Sequence, residues 1–125
     1  MIKKNTTCRL GENMAAKYLR TKGYYILRRN YRVRGGEIDI IAKQNQTLVF
    51  VEVKTRRQNA GGYPEEAVTP KKLKRMDLAI QNYLMQKRQP PKEMRIDVIS
   101  IELDKLPLPR IHHLKNITLE QTCSF

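Results

Sequence analysis

The sequence predicts an α/β fold, a mixed β-sheet flanked by helices in the order α-β-β-β-α-β, with a short last strand as an option at its end. Three observations predict it: two segments with apolar residues at helical spacing, a series of β-branched runs between them, and a further alternating run after the second helix. From Leu10 to about Lys22, apolar or small residues at Leu10, Met14, Ala15, Tyr18 and Leu19 recur at helical spacing, with Thr7 as cap and Gly23 as stop. Tyr24 to Val33 is rich in strand formers and arginines, and Arg34-Gly35-Gly36 turns the chain. Glu37 to Lys43 and Thr47 to Thr55 flank Gln44-Asn45-Gln46 as the arms of a hairpin. A glycine-containing loop, Arg56 to Val68, leads to Thr69-Pro70, a cap followed by proline at the first helical position. The second helix shows its apolar stripe at Leu73, Met76, Ala79, Ile80, Tyr83 and Leu84, and Gln89-Pro90-Pro91 ends it. Arg95 to Leu103 alternates as a strand, and beyond a proline-bearing connector Arg110 to Leu119 offers the last short one.

A chain of 125 residues, 40% hydrophobic, has enough apolar side chains for one core, so residues 1–125 are read as one domain. Periodic apolar segments persist almost throughout, which excludes a disordered or fibrous chain despite the 30% charged fraction. Lys plus Arg number 25 against 12 Asp plus Glu, a formal net charge of +13, and a polyanion is the natural partner. Charge alone fits a merely basic soluble protein equally well. No stretch pairs a basic face with an aromatic and leucine-rich one, so membrane binding is not expected. Cys8 and Cys123 form no CxxC motif, and with only the adjacent His112 and His113 as further soft ligands no zinc site is legible. Residues 1–7 lack the apolar run of a signal peptide and no segment approaches a membrane span, so the expectation is a cytoplasmic protein with free thiols.

The chemistry lies in the hairpin. A turn at Asn45-Gln46 opposes Gln44 to Thr47, and the register follows: Ile38 with Val53, Ile40 with Val51 and Ala42 with Val49 make one apolar face suited to packing under a helix. On the other face Ile41 meets Phe50, Asp39 meets Glu52 and Glu37 meets Lys54, so polarity begins abruptly at one end of an apolar ribbon. Opposed side chains have Cβ atoms about 4.5–5.5 Å apart, and like charges there are destabilising. Asp39 against Glu52 is a poor choice unless one carboxyl is protonated or a cation sits between them. Hard ions such as Mg²⁺ or Mn²⁺ take carboxylate oxygens. Lys54 projects from the same face, where an ammonium could hold an attacking water or neutralise charge on a phosphate. The competing reading is a solvated strand end whose Glu37–Lys54 pair contributes little.

Gly36-Glu37-Ile38-Asp39-Ile40-Ile41-Ala42, followed by Leu48-Val49-Phe50-Val51-Glu52-Val53-Lys54-Thr55-Arg56, resembles the signature of the YraN family of bacterial endonuclease-like proteins, members of the PD-(D/E)xK nuclease superfamily similar to archaeal-type Holliday-junction resolvases. The resemblance runs from Gly11-Glu12 through Pro64-Glu65-Glu66-Ala67-Val68 to Arg95-Ile96-Asp97. It departs from the superfamily name in having Glu37-Ile38 rather than a proline before Asp39. It implies a restriction-endonuclease-like sheet, Mg²⁺ or Mn²⁺ held by Asp39 and Glu52 with the main-chain carbonyl of Val53, Lys54 as catalytic lysine, and Glu12 as an auxiliary acid on the first helix. Resolvases of that superfamily often act as homodimers on branched DNA, whereas the YraN family itself is poorly characterised.

Other residues carry two readings each. Glu12 shares a helical stripe with Ala15, Ala16 and Leu19 and either reaches the carboxyls or is a favourable negative charge near a helix start; the resemblance favours the former. Lys71, Lys72, Lys74 and Arg75 crowd the first turns of the second helix, where positive charge opposes the helix dipole, so either a phosphate binds there or the face is an ordinary solvated one. Arg28, Arg29, Arg32 and Arg34, interleaved with Tyr24, Tyr25 and Tyr31, resemble a nucleic-acid-facing strand, although some of those tyrosines must be core. Arg56 and Arg57 directly follow the lysine. Asp97 reads as a strand-start charge in preference to a spare metal ligand, and His112 and His113 as satisfied or exposed histidines. The leading expectation is therefore a metal-dependent endonuclease hydrolysing DNA phosphodiesters, with branched or damaged structures as candidate substrates. Its rival is a nuclease-like module that binds nucleic acid without cutting, and a ribosome-associated scaffold comes third.

Overall fold

The computed structural model describes residues 6–56, 69–104 and 108–117. It consists of α1 (Thr6–Thr21), β1 (Tyr25–Val33), β2 (Gly36–Gln44), β3 (Thr47–Arg56), α2 (Pro70–Met85), β4 (Glu93–Glu102) and β5 (Arg110–Leu114). The predicted α/β class and element order hold, the optional last strand included. Arg57 and the rest of the loop up to Val68 lie outside the described residues.

Local chemistry accounts for the helix ends. Gly23, at φ +90°, takes the left-handed position past α1, where Tyr24 N–H donates to Leu19 O (3.0 Å) and Gly23 N–H to Arg20 O (3.1 Å). At α2, Thr69 caps, its Oγ1 accepting from Lys72 N–H at 3.1 Å, and Pro70 follows where no amide donor is required.

The strands form one five-stranded sheet in the order β1-β2-β3-β4-β5. Only β3–β4 is parallel, as the connection through α2 requires; the other pairs are antiparallel. β3 lies at the centre with an almost uninterrupted buried run, while β1 and β5 are the edges. Helix α1 covers one face, packing Ala15, Ala16 and Leu19 on Ile40, Ala42, Val49, Val51, Val53, Ile99 and Ile101. Helix α2 covers the other, packing Leu73, Met76, Ala79, Ile80 and Tyr83 on Ile38, Ile41, Leu48, Phe50 and Val98.

The hairpin turns where the sequence predicts: Gln44 pairs with Thr47, and Asn45 adopts φ +55° in the turn. The β2–β3 ladder runs in the predicted register only as far as Ile40–Val51. Beyond that point the expected pairs Asp39–Glu52, Ile38–Val53 and Glu37–Lys54 are not ladder partners. The cause is a break in β2 at Asp39: Ile38 packs with the α2 layer and Ile40 with the α1 layer, so strict alternation fails between them. On the β1 side the ladder passes from Arg29–Ile40 to Tyr31–Ile38 around Asn30, which takes φ +52°. The predicted single apolar face is thus divided between two cores. Glu37 stays with β1, its Oε2 3.4 Å from Arg32 Nε.

Two glycines let the helices approach the sheet near this break. A Cβ on Gly11 of α1 would overlap Thr55 Oγ1 on β3, and rotating that side chain gives no relief, because Thr55 Cβ and Cγ2 lie at 2.9 and 3.1 Å. A Cβ on Gly36 of β2 would overlap the main-chain carbonyl of Arg75 in α2. Gly11→Ala should destabilise the fold by about 1–3 kcal/mol despite alanine's better helix propensity, and Thr55→Ala should recover much of that loss. Gly36→Ala should cost at least as much, and no single side-chain truncation should rescue it, because the obstacle is backbone. Urea melts of the single and double variants test this; equal rescue of both glycine variants by Thr55→Ala would contradict it.

Candidate active site

Where β2 leaves β3, two carboxyls are buried side by side. Asp39 is 4% exposed and Glu52 1%. Asp39 Oδ2 accepts a hydrogen bond from the main-chain N–H of Val53 at 2.8 Å, so a side chain serves a strand amide just past the last ladder pair. Glu52 follows Leu48 and Phe50 on the α2 face of β3, and Lys54 comes next on that face, half-buried, with Ser100 of β4 beside it in the parallel ladder. The three residues singled out from the sequence do gather at one end of the central strand.

A fourth group completes the cluster. Lys72, in the first turn of α2, places Nζ 2.6 Å from Glu52 Oε1. From the sequence this lysine belongs to a basic cluster that either binds a phosphate or is an ordinary solvated face; instead its ammonium turns inward to the acids, and its N–H is taken by the Thr69 cap. Burial works against that ammonium, but the carboxylates of Glu52, Asp39 and Glu37 outweigh it and raise its pKa. The signal was already visible, since four basic residues with no acid in a helix's first turns call for a negative partner. That partner is the chain's own Glu52.

Glu52 experiences the opposite balance. Burial first, then the neighbouring Asp39 carboxyl, push its pKa up to about 8 against the pull of Lys72. The two carboxyls therefore resist carrying two negative charges beside a single ammonium. Glu52 Oε2 is nevertheless buried with no hydrogen-bond partner. An orphaned oxygen beside a second carboxyl suits a hard divalent ion, which accepts one or two protein carboxylates and completes its shell with carbonyl and water oxygens. Among the described residues no group of three or more His, Cys, Asp or Glu gathers for a metal, so the side chains on offer here are the two carboxyls of Asp39 and Glu52.

Glu12 is buried, at 3% exposure, next in the chain to Gly11, which meets Thr55 near the end of β3 from the α1 layer. Lys72 enters from the α2 layer. Lys71, Lys74 and Arg75 are exposed on α2, as are Arg28, Arg32 and Arg34 on and after β1; Arg56 is half-buried at the end of β3. Arg29 is half-buried and donates through Nη2 to Asn13 Oδ1 of α1 at 2.7 Å, and Arg28 lies over the Tyr31 ring at 5.0 Å. Of the three tyrosines interleaved with these arginines, Tyr24 and Tyr31 are core and Tyr25 is 77% exposed.

Asp97 is not the strand-start charge expected of it. It is fully buried, on the face it shares with Ile99 and Ile101, an alternation that could have been read from the strand. It accepts from Arg95 Nε (3.0 Å), His113 Nε2 (2.8 Å) and the Asn116 N–H (3.0 Å). With its Nε2–H donated to Asp97, His113 accepts at Nδ1 from Tyr18 O–H at 3.1 Å. Burial alone would raise the Asp97 pKa, but these donors hold it below the ordinary carboxylate value. Its demands are met, and it ties β4, β5 and α1 together.

The sign of the Glu52 shift sets a pH dependence of stability. An acid whose folded pKa lies near 8 and whose ordinary value is 4.5 binds more protons folded than unfolded between those values. Its contribution is complete below about pH 4.5 and is lost as pH rises through about 8. In metal-free buffer the melting temperature of Glu52→Gln, which mimics the protonated acid, should gain on that of the natural chain by roughly 4 °C or more over this window. Thermal melts at constant ionic strength check this, and a difference that does not change with pH would refute it.

Comparison with known proteins agrees with the motif. The model of the uncharacterised protein family UPF0102 matches residues 11–101. A UPF0102 protein of Geobacter sulfurreducens is 46% identical over 106 residues, covering 85% of this chain and 83% of its own. One from Chlorobium phaeobacteroides is 52% identical over 91 residues, 73% of this chain and 72% of its own. One from Leifsonia xyli is 41% identical over 117 residues, 94% of this chain and 99% of its own. No helix among the described residues is long and apolar enough to cross a membrane. The chain belongs to the UPF0102 family, the YraN family that its hairpin motif resembles.

Proposed function

We propose that this protein is a metal-dependent endonuclease that hydrolyses phosphodiester bonds in DNA, branched or damaged structures included. The observation that carries this reading is the buried Asp39–Glu52 pair with its orphaned Glu52 Oε2, at the end of a central strand and next to Lys54. Burying two carboxyls together costs several kcal/mol per charge; Lys72 offsets part of this at Glu52 Oε1, and a divalent ion would offset the rest. Asp39, Glu52 and the Val53 carbonyl would hold Mg²⁺ or Mn²⁺. When bound, the ion would lower the pKa of a water and draw charge from the phosphate. Asp39 is oriented for its part by the Val53 N–H, which fixes one carboxylate oxygen. Lys54, on the Glu52 face and half-buried, can reach a phosphate oxygen or the attacking water and stabilise negative charge there. The exposed bases Lys71, Lys74 and Arg75 on α2, with Arg28, Arg32 and Arg34 at the β1 edge, supply sequence-independent attraction for a polyanion, in line with the net charge of +13.

A second reading has one observation in its favour. Lys72 already neutralises Glu52, as it would in a module that keeps the fold, binds nucleic acid and holds no metal.

Cleavage of single-stranded, duplex, flap and four-way-junction DNA with Mg²⁺ or Mn²⁺ separates the two. Nicking of at least one substrate is expected, lost with chelator, undetectable in Asp39→Asn and reduced about 100-fold or more in Lys54→Ala, while duplex binding by gel shift persists in both variants. Metal-independent binding without cleavage of any substrate would favour the module.

A further inference from the structure

Lys72 lies at an unusual junction of burial and access. Its side chain is 36% exposed while that of its partner Glu52 is 2% exposed, so the ammonium can withdraw to solvent and the carboxyl cannot. A lysine held by a flexible four-carbon stem is a mobile point charge, unlike an arginine fork. Lys72 meets only one oxygen of its partner: Glu52 Oε1 lies 2.6 Å from Nζ, while Oε2 is buried with no N–H or ammonium on it and the carboxyl's other neighbour is that of Asp39. An ordinary exposed ion pair would leave neither group buried, and a buried structural pair would fill both oxygens, as the Asp97 cluster does with three donors.

We propose that Lys72 is a displaceable counter-cation: its ammonium on Glu52 Oε1 competes by charge for the same carboxylate with a divalent ion entering at Oε2 and Asp39, so that binding of the one weakens the hold of the other. The inference rests on the metal reading above and adds to it a residue outside the Asp39–Glu52–Lys54 motif. Lys72 then tunes the affinity of the site for metal, because an ion bound at Oε2 repels an ammonium already attracted by Glu52, Asp39 and Glu37 and drives it toward solvent. It also keeps the acids compensated while the metal is away, which is when the buried pair is most costly. Acting through Glu52 and not on substrate, Lys72 is a positioning residue.

Calorimetric titration of the full chain with Mn²⁺ alone tests this, at fixed pH and ionic strength and in two buffers of different ionisation heat so that released protons are counted. Lys72→Met should bind Mn²⁺ at least about tenfold more tightly than the natural chain, because a competing charge a few ångströms away is removed. It should also melt lower without metal and gain more from Mn²⁺. Lys72→Gln, polar and uncharged, should behave likewise and serves if the methionine variant does not fold alone. A purely structural Lys72 predicts the reverse, weaker metal binding in both variants. Equal or weaker binding by folded variants, with the natural chain still binding Mn²⁺, overturns the exchange while leaving the metal site standing. No Mn²⁺ binding by any form, Asp39→Asn included, overturns both.

Discussion

Asp39 and Glu52 occupy one end of the sheet side by side, almost without solvent, and much at that end answers to them. Water is the best solvent a carboxylate has, and removing two from it together incurs both desolvation and mutual repulsion. The fold offsets this with a strand amide turned to Asp39 and an ammonium brought from α2 to Glu52, and what is not offset pushes the Glu52 pKa up. Even so, one oxygen of Glu52 stays unsatisfied. That residual demand distinguishes the pair from a structural polar cluster.

The same sheet contains the contrasting case. Asp97 is as deeply buried, yet Arg95, His113 and Asn116 supply hydrogen bonds to both its oxygens, and its pKa falls where that of Glu52 rises. Two buried acids, one on each face, thus have opposite electrostatic fates. One closes the β4–β5 side of the α1 layer. The other takes one ammonium and keeps one oxygen without a donor.

The backbone serves the open site. Had β2 continued its ladder with β3, Asp39 and Glu52 would have been ordinary opposed residues with every strand amide paired to main chain. The break at Asp39, with Asn30 in the left-handed region on the neighbouring strand, redirects Ile38 to the α2 core and leaves the Val53 N–H to a side chain. Gly11 and Gly36 then admit the two helices close to this break, and α2 brings Lys72 with it.

By itself the sequence determined the elements and the candidate acids. Apolar periodicity located both helices and the strands, Thr69-Pro70 and Gly23 marked boundaries, and Asn45-Gln46 set the hairpin register that places Glu52 with Phe50 on one face. These are short-range properties, decided by steric preference and by which neighbours share a face. Only the tertiary structure decided where the ladder stops, that Ile38 and Ile40 belong to different cores, that Lys72 meets Glu52, and that His113 meets Asp97. Lys72 and Glu52 are brought together by a connection through α2, and His113 and Asp97 by the return of β5 along β4. Such charge partners are chosen by the packing of whole layers, and no local pattern of residues encodes the distance between them.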